Sequence, residues 1–384
     1  MFMATTTSDH HMTATPVTSG RTFLRELEDR GAAFAHIGPN WFASVMGTGI
    51  VANAAALLPR QVAGLHEFAV GVWVIAAAWL ITLTAITAVH WTRHTDNARA
   101  HASNPAMAPF YGAPPMALMT VGAGTLLVGH DVIGMPAAIV VAFVLWTLGT
   151  LGGLASSALV PYWLFTRHEV GVQHTFATWL MPVVPPMVSA ATGAALIQHL
   201  PAGQAREAML LACYAMFGLS LLASLVIITL VWGRLAYEKT GPVATVPTLF
   251  IVLGPLGQSI TAANLLGNQA HIAIAAPFST GFKAMGVLYG APVWGFAMLW
   301  LVIAAALVVR AAKQGMGFSL TWWSFTFPVG TVVTGTSLLA TDTGLDALAW
   351  IAVGLYVLLL AAWVTAAVRT AHGALRTGTL LQAA

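Results

Sequence analysis

Apolar stretches of roughly twenty residues recur along this chain from Asn40 to its C-terminal region, each long enough to cross a hydrocarbon layer about 30 Å thick as an α-helix. Hydrophobic residues make up 58% of the 384 residues, and charged residues make up only 7%. A water-soluble domain carries about a quarter charged residues. Because a soluble fold cannot bury that much apolar surface, the sequence predicts an integral membrane protein.

Ten of these stretches are predicted to be transmembrane helices. They lie near residues 40–58, 67–89, 108–129, 135–160, 176–198, 207–232, 246–268, 284–309, 319–340 and 345–367. The predicted transmembrane domain therefore covers 36–368. It follows an N-terminal tail at 1–35, with an interfacial helix at 21–35, and precedes a C-terminal tail at 369–384. Twelve of the fifteen lysines and arginines fall in the tails and the even-numbered connections, so we expect a multi-pass protein of the plasma membrane with both termini in the cytoplasm.

The odd-numbered spans differ from the even-numbered ones. Odd spans begin with aromatic residues and are broken by proline or glycine, as in residues 321–331, which read TWWSFTFPVGT. Even spans are mostly uninterrupted runs of Leu, Val, Ile and Ala, which suit lipid contact, whereas broken helices need cover from protein or a water-filled cavity. A period of about seventy residues with two helices per unit predicts five helical hairpins. We expect an all-α protein with quasi-fivefold arrangement, in which the odd helices surround a central pore and the even helices form the outer wall.

The predicted inner helices offer backbone dipoles and hydroxyl groups instead of charged side chains. A proline within a helix exposes N–H groups that carry partial positive charge, and these attract an anion without a fixed charge to trap it. The residues expected to line or break the pore are Ser44, Gly47, Thr48, Gly49, Pro115, Thr120, Pro186, Ser189, Pro255, Gln258, Ser259, Pro328 and Thr331. The alternative is that these small residues only let the helices pack closely.

A large aromatic residue at the break of the ninth span is a candidate gate. The other odd spans carry small residues at the depth of Phe327, so one ring there would plug the pathway; ordinary packing is the alternative. At the opposite end of the spans, Arg60, His130, His199 and His271 are expected to form an external mouth. That mouth would become more positive as the pH falls toward about 6.5, unless the histidines simply face lipid headgroups.

Two segments resemble the tellurite-resistance/dicarboxylate transporter family, which includes sulfite efflux pumps, malate permeases and slow anion channels. They read NWFASVMGTGI at 40–50 and GPLGQ at 254–258, and the likeness extends over 36–368. The resemblance implies ten helices in five hairpins around a central pore, and assembly as a homotrimer. It also implies a phenylalanine in the ninth helix that occludes the pore. Phe327 matches that position, and Phe325 is the nearby competitor.

We therefore expect a transporter or channel for small anions in the lipid bilayer. Its substrates would be sulfite-like oxyanions or C4-dicarboxylates such as malate, and a proton-coupled dicarboxylate carrier is the alternative. A membrane-embedded enzyme would need convergent His, Asp, Glu or Cys residues at one depth, and the spans contain no such set and no Gly-x-Ser-x-Gly or His-Glu-x-x-His motif. A non-conducting sensor is the other rival. No cofactor, metal ion or nucleic-acid partner is expected.

Overall fold

The computed structural model describes Leu24 and residues 34–382. Helices dominate this part of the chain, which contains no β-strand. The α-helices are α1 (Phe42–Leu57), α2 (Leu65–Arg93), α3 (Thr95–Ser103), α4 (Ala113–Gly124), α5 (His130–Ile133), α6 (Met135–Arg167), α7 (Pro185–Ala194), α8 (Gln204–Glu238), α9 (Leu253–Gln269), α10 (Phe278–Lys313), α11 (Phe327–Thr343) and α12 (Asp346–Ala371). The interfacial helix predicted at 21–35 lies almost wholly outside the described residues.

Seven helical segments in the described part are long and apolar enough to cross a membrane. They are α2, α6, α8 and α10, the composite segments Ala108–Ile133 and Val243–Ile272, and α12 with its extension to Thr377. The sequence predicted ten spans. The other three coincide with α1, α7 and α11, whose α-helical parts are only 16, 10 and 17 residues long. The prediction of an all-helical membrane protein is confirmed.

A short 3-10 segment precedes each of the helices α1, α4, α7, α9 and α11. These segments are Pro39–Trp41, Ala108–Gly112, Ala177–Leu180, Val243–Val252 and Leu320–Phe325. Prolines lie among the first residues of α4, α7, α9 and α11, where a fixed φ suits the helix and the missing N–H breaks no hydrogen bond. The breaks predicted at Pro115, Pro186, Pro255 and Pro328 are therefore junctions at which a 3-10 segment becomes an α-helix.

The helices form two layers. In the inner layer, α1 contacts α4, α4 contacts α7, α7 contacts α9, α9 contacts α11, and α11 contacts α1. The outer helices α2, α6, α8, α10 and α12 each pack on the inner helix that precedes them and on the next inner helix around the layer. Of the hydrophobic stretch in Val243–Ile272, 83% is buried, against 33% or less in each outer helix. The proline-broken helices are thus the enclosed ones.

The connections after α2, α6, α8 and α10 gather at one end of the bundle, where residues of two of them and of the 3-10 segments that follow all four line a common cavity. We call this the basic end, because it carries most of the basic residues. They are Arg93, Arg99, Arg167, Arg234, Lys239, Arg310 and Lys313. The 3-10 segments also begin at this end, so each inner helix starts its α-helical part some way into the bundle.

Candidate functional site

Contacts on two sides of α11 define which of its faces turns inward. On one side Gly330 lies against Ile50 of α1, and on the other the hydroxyl of Thr331 lies 3.3 Å from the carbonyl oxygen of Gly254 in α9. Successive residues of an α-helix are about 100° apart, so Phe327 falls about 60° from Gly330 and about 40° from Thr331, on the arc between them. This buried ring therefore lies on the face of α11 that turns between its two inner neighbours.

The opposite face of α11 belongs to the outer layer. Thr336 accepts a hydrogen bond from the indole N–H of Trp294 in α10, with Nε1 and Oγ1 3.0 Å apart. Thr334, which shares the inward arc with Phe327, forms a hydrogen bond with Thr261 of α9 at 2.7 Å between the hydroxyl oxygens. The inward face of α11 thus carries one large aromatic ring and a bonded pair of hydroxyls.

The helix α9 has an inward face of the same kind. Gly257 faces α11, and Ala262 belongs to one buried cluster with Ala190 of α7. Gly254 and Gln258, one turn apart, fall between these two contact directions. They lie on the face of α9 that turns to the middle of the inner layer.

Open space and an unpaired amide lie on that face. Gly254 is buried, yet a Cβ atom built on it meets no atom within 4 Å. The side chain of Gln258 is only 5% exposed and forms no hydrogen bond with any described residue. Gly254 and Phe327 also hold similar places, because each immediately precedes a proline in the first turn of its helix. The inner layer therefore has free volume beside the first turn of α9 and a phenylalanine in the first turn of α11.

A cavity of about 350 Å³ opens at the basic end. Its lining comes from the beginnings of four inner segments and from the connections before them: Pro105, Ala106, Phe110, Glu169, Val170, His174, Phe176, Thr178, Trp179, Thr245, Thr248 and Thr321. Aromatic rings and threonine hydroxyls make up much of this wall, with Glu169 and His174 as its titratable groups. The cavity thus lies at the basic end, beside the beginnings of these inner segments.

Ser44 and Thr48 face the outer layer. Ser44 donates to the carbonyl oxygen of Trp41 at 2.6 Å and accepts from the indole N–H of Trp79 in α2 at 2.7 Å. Thr48 donates to the carbonyl oxygen of Ser44 at 2.8 Å and accepts from Trp363 of α12 at 3.1 Å. Both hydroxyls are thus used for bonds within the bundle.

Most other predicted lining residues also contact neighbouring helices. Ser189 accepts from Thr150 of α6 at 3.0 Å, and Ser259 accepts from Tyr289 of α10 at 2.8 Å. The residues that contact another helix or the segment before α11 include Gly47, Gly49, Pro115, Thr120, Ser189, Ser259 and Thr331. Of the predicted lining set, Gln258 is the residue that the contacts place on the inward face with a free polar group.

Phe325 and Phe327 have different surroundings. The ring of Phe325 packs edge-on against Phe250, with centroids 4.9 Å apart, and lies 5.8 Å from the ring of Trp322. Phe325 is thus part of an aromatic group at the basic end. Gly254 was not among the predicted lining residues. The signal that could have found it is its place before Pro255, which repeats the place of Phe327 before Pro328.

Three of the four residues of the predicted mouth, Arg60, His130 and His271, have side-chain partners. Arg60 pairs with Asp346 at 2.5 Å and lies 5.6 Å from the ring centroid of Trp350. His271 bonds the carbonyl oxygen of Asn268 at 2.8 Å through Nδ1, and His199 is half-buried at the end of a 3-10 turn.

His130 lies beside a carboxylate that sequence reasoning did not include. Its Nε2 is 3.3 Å from Asp131, and the other oxygen of Asp131 is 2.6 Å from Nε2 of His66. Asp131 thus stands between two imidazoles, and Asp346 stands beside Arg60. Negative charge therefore offsets the positive charge that was predicted for this end.

The interior is nearly free of charge. Among the described residues, Arg234 and His90 are the buried side chains that can carry a charge, and no aspartate or glutamate is buried. Together with the two helical layers and the seven long apolar segments, this defines a multi-pass, all-helical membrane protein with a neutral, proline-broken inner layer. Residues 36–371 match the model of the voltage-dependent anion channel (SLAC1) family. The chain belongs to this family.

Relatives across most of the chain agree with that assignment. The sulfite efflux pump SSU1 of Trichophyton rubrum is 30% identical over 315 residues, which are 80% of this chain and 83% of the pump. An uncharacterized transporter of Methanocaldococcus jannaschii is 28% identical over 336 residues, 87% of this chain and 92% of that protein. A Schizosaccharomyces pombe protein named for malic acid transport is 21% identical over 300 residues, 75% of this chain and 68% of that protein. The predicted family resemblance is confirmed, and the family is one of transporters and channels.

Proposed function

We propose that this protein passes small anions, sulfite-like oxyanions or C4-dicarboxylates, along a neutral pathway through the middle of its inner layer. The observation that carries the proposal is the inward face of α9, where Gly254 leaves open space and the amide of Gln258 has no partner among the described residues. The relatives named for sulfite efflux and for malic acid transport support the two substrate classes.

A neutral lining suits rapid passage of an anion. Amide and hydroxyl donors replace part of the hydration shell of the solute, while a fixed positive charge would hold it and a buried carboxylate would repel it. The described residues bury no carboxylate, and the buried Arg234 lies near the C-terminal end of an outer helix. The pathway therefore provides weak, repeated contacts between the anion and neutral hydrogen-bond donors.

We propose Phe327 as the gate of this pathway. Its ring lies on the inward arc of α11, at a place similar to that of Gly254 in the adjacent helix. One large ring beside a position without a side chain can close a narrow passage, and rotation of that ring can open it. Phe325 is a weaker candidate because its ring packs against Phe250.

We also propose ten spans around a quasi-fivefold axis, with the basic end in the cytoplasm of a plasma-membrane protein. The cyclic contacts of the inner layer support the arrangement. The helices α1, α7 and α11 reach useful length when their 3-10 segments are added, and the excess of Lys and Arg at one end supports the orientation. A homotrimer is the assembly that the family resemblance implies.

The test is anion flux in liposomes that contain only this protein. Uptake of sulfite, malate and chloride is compared for wild type, Phe327→Ala and Phe325→Ala. We expect flux of at least one anion in wild type, several-fold faster flux in Phe327→Ala, and little change in Phe325→Ala. If neither wild type nor Phe327→Ala carries any of the three anions, the proposed function is wrong; equal rates in these two proteins would reject only the gate.

Proton-coupled dicarboxylate transport is the second candidate. The observation that favours it is the group His66, Asp131 and His130, whose short contacts place titratable side chains together at the end opposite the basic end. Malate uptake driven by a pH gradient alone, and lost in Asp131→Asn, would support coupling. Malate uptake that does not depend on the pH gradient would reject proton coupling and favour the uncoupled pathway.

A further inference from the structure

A buried arginine without a counter-charge lies near the C-terminal end of α8. The Arg234 side chain is 2% exposed, and its guanidinium forms no ion pair or hydrogen bond with any described residue. Its Nε atom is fully buried and unpaired. The other arginines at the basic end are not buried, so Arg234 is an exception that needs a physical explanation.

The surrounding groups do not balance this charge. The guanidinium lies 4.7 Å from the ring centroid of Phe176, which is close enough for a cation–π contact. Burying an ion without a counter-charge costs more free energy than one cation–π contact returns. The aromatic contact therefore offsets only part of the cost, and an anion that binds the guanidinium would supply the rest.

The position of Arg234 gives such an anion a way in. Phe176, the ring beneath the guanidinium, also lines the cavity at the basic end. On another side lies Gly241, a turn residue with φ of +68°. A Cβ atom there would approach Nη1 to 3.1 Å, so the absence of a side chain keeps the space next to the guanidinium free.

We propose that Arg234 is an oxyanion-binding residue at the basic end, next to the cavity whose lining includes the beginnings of four inner segments. A guanidinium presents paired N–H donors that match the geometry of sulfite, carboxylate or phosphate oxygens. The oxyanion is either the transported solute, loaded before it enters the pathway, or the phosphate of a lipid headgroup. The first source rests on the proposed function, and the second does not.

Thermal unfolding of the full-length protein in detergent tests binding without any need for transport. Sodium sulfite and sodium phosphate are titrated into wild type, Arg234→Lys, Arg234→Gln and the control Arg310→Gln, which removes an exposed arginine of the same end. We expect the oxyanions to raise Tm by several degrees in wild type and in Arg310→Gln. The rise should be smaller in Arg234→Lys, which keeps the charge but loses the paired donors, and absent in Arg234→Gln.

A lipid arm separates the two sources. Phosphatidic acid is added in place of the free oxyanions, with phosphatidylcholine as its control. Stabilisation by phosphatidic acid alone, again dependent on Arg234, assigns the site to a headgroup; stabilisation by sulfite assigns it to the solute. Equal shifts in wild type and Arg234→Lys for every oxyanion and lipid overturn the proposal, even if Arg234→Gln fails to fold.

Flux measurements distinguish a failure of the Arg234 site from a failure of the proposed transport function. In proteoliposomes we expect Arg234→Lys to raise the half-saturating sulfite concentration at the basic end at least fivefold while the maximal rate stays within twofold. Stabilisation by sulfite without any flux would keep the site and reject transport. Flux and Tm that are both insensitive to Arg234 would reject the site and keep transport.

Discussion

Gly254 and Gly257 lie three residues apart on α9 and have opposite surroundings. A Cβ atom on Gly254 would meet nothing within 4 Å, whereas one on Gly257 would lie 2.5 Å from the carbonyl carbon of Thr331 in α11. A backbone atom cannot move aside as the end of a side chain can. Gly257 is therefore needed for the contact between two inner helices, and Gly254 for the free space beside them.

Alanine at these two glycines should have different effects on stability. We expect Gly257→Ala to lower the free energy of unfolding by about 2 kcal/mol or more, because overpacking against backbone forces α9 and α11 apart. Gly254→Ala should change it by less than about 1 kcal/mol, since alanine favours the helix and meets no neighbour. Thermal unfolding in detergent measures both. Equal losses in the two variants would contradict the assignment of the two faces.

A large side chain at Gly254 should block the pathway. We expect Gly254→Leu to reduce anion flux several-fold in wild type, and to remove most of the extra flux gained by Phe327→Ala, because leucine fills the free space. The control is Gly71→Leu, the same substitution at an exposed glycine of α2 whose Cβ also meets no neighbour. Unchanged flux in Gly254→Leu, with normal protein yield, would place the pathway elsewhere.

The amide of Gln258 should contribute to anion passage. A hydrogen bond to a charged group is worth about 1.5 to 3 kcal/mol, so Gln258→Leu, which keeps the volume, should lower sulfite flux about tenfold or more. Ser44→Ala is the contrasting change. It removes the acceptor for Trp79, and should cost about 1 kcal/mol of stability without changing relative rates for sulfite, malate and chloride. Flux assays and thermal unfolding on the same preparations test both expectations.

Acid should destabilise the contact between α3 and α2. Burial lowers the pKa of His101, and the neighbouring His90 and His36 lower it further. The folded protein thus holds His101 neutral, so its stabilising effect is complete above the unfolded pKa of about 6.5 and is lost as the pH falls below that value. Between pH 7.5 and 5.5, Tm should fall less in His101→Gln than in wild type. The matched control His174→Gln, at an exposed site, should behave as wild type does.

The sequence predicted the helices well because apolar length and proline are local signals. Pro185 is the first residue of α7 and Pro328 the second residue of α11, since a proline fits the first turn of a helix wherever tertiary contacts place it. The same signals do not define rotation about the helix axis. The inner helices are apolar nearly all round, so no polar stripe shows which face turns inward.

Partners far along the chain account for the remaining differences. The hydroxyl of Thr48 bonds Trp363, which is 315 residues away, and Arg60 pairs with Asp346, 286 residues away. No local sequence pattern predicts contacts between residues so far apart along the chain. The polar residues of α1 therefore could not be assigned to its outward face, nor could the carboxylates of the predicted mouth be foreseen. Gln258 was among the predicted lining residues, and the structure distinguishes it from the others because its neighbours leave its amide unpaired.

The closure of the inner layer has a consequence for biosynthesis. The first inner helix receives two of its hydrogen bonds from the last outer helix, from Tyr356 to the carbonyl oxygen of Val51 and from Trp363 to Thr48. While the ribosome is still synthesising the middle of the protein, α1 lies in the bilayer without the hydrogen-bond donors Tyr356 and Trp363. The inner layer can therefore close only after α12 has been synthesised. A prematurely terminated product that lacks α12 would leave this side of α1 uncovered and open to membrane proteases.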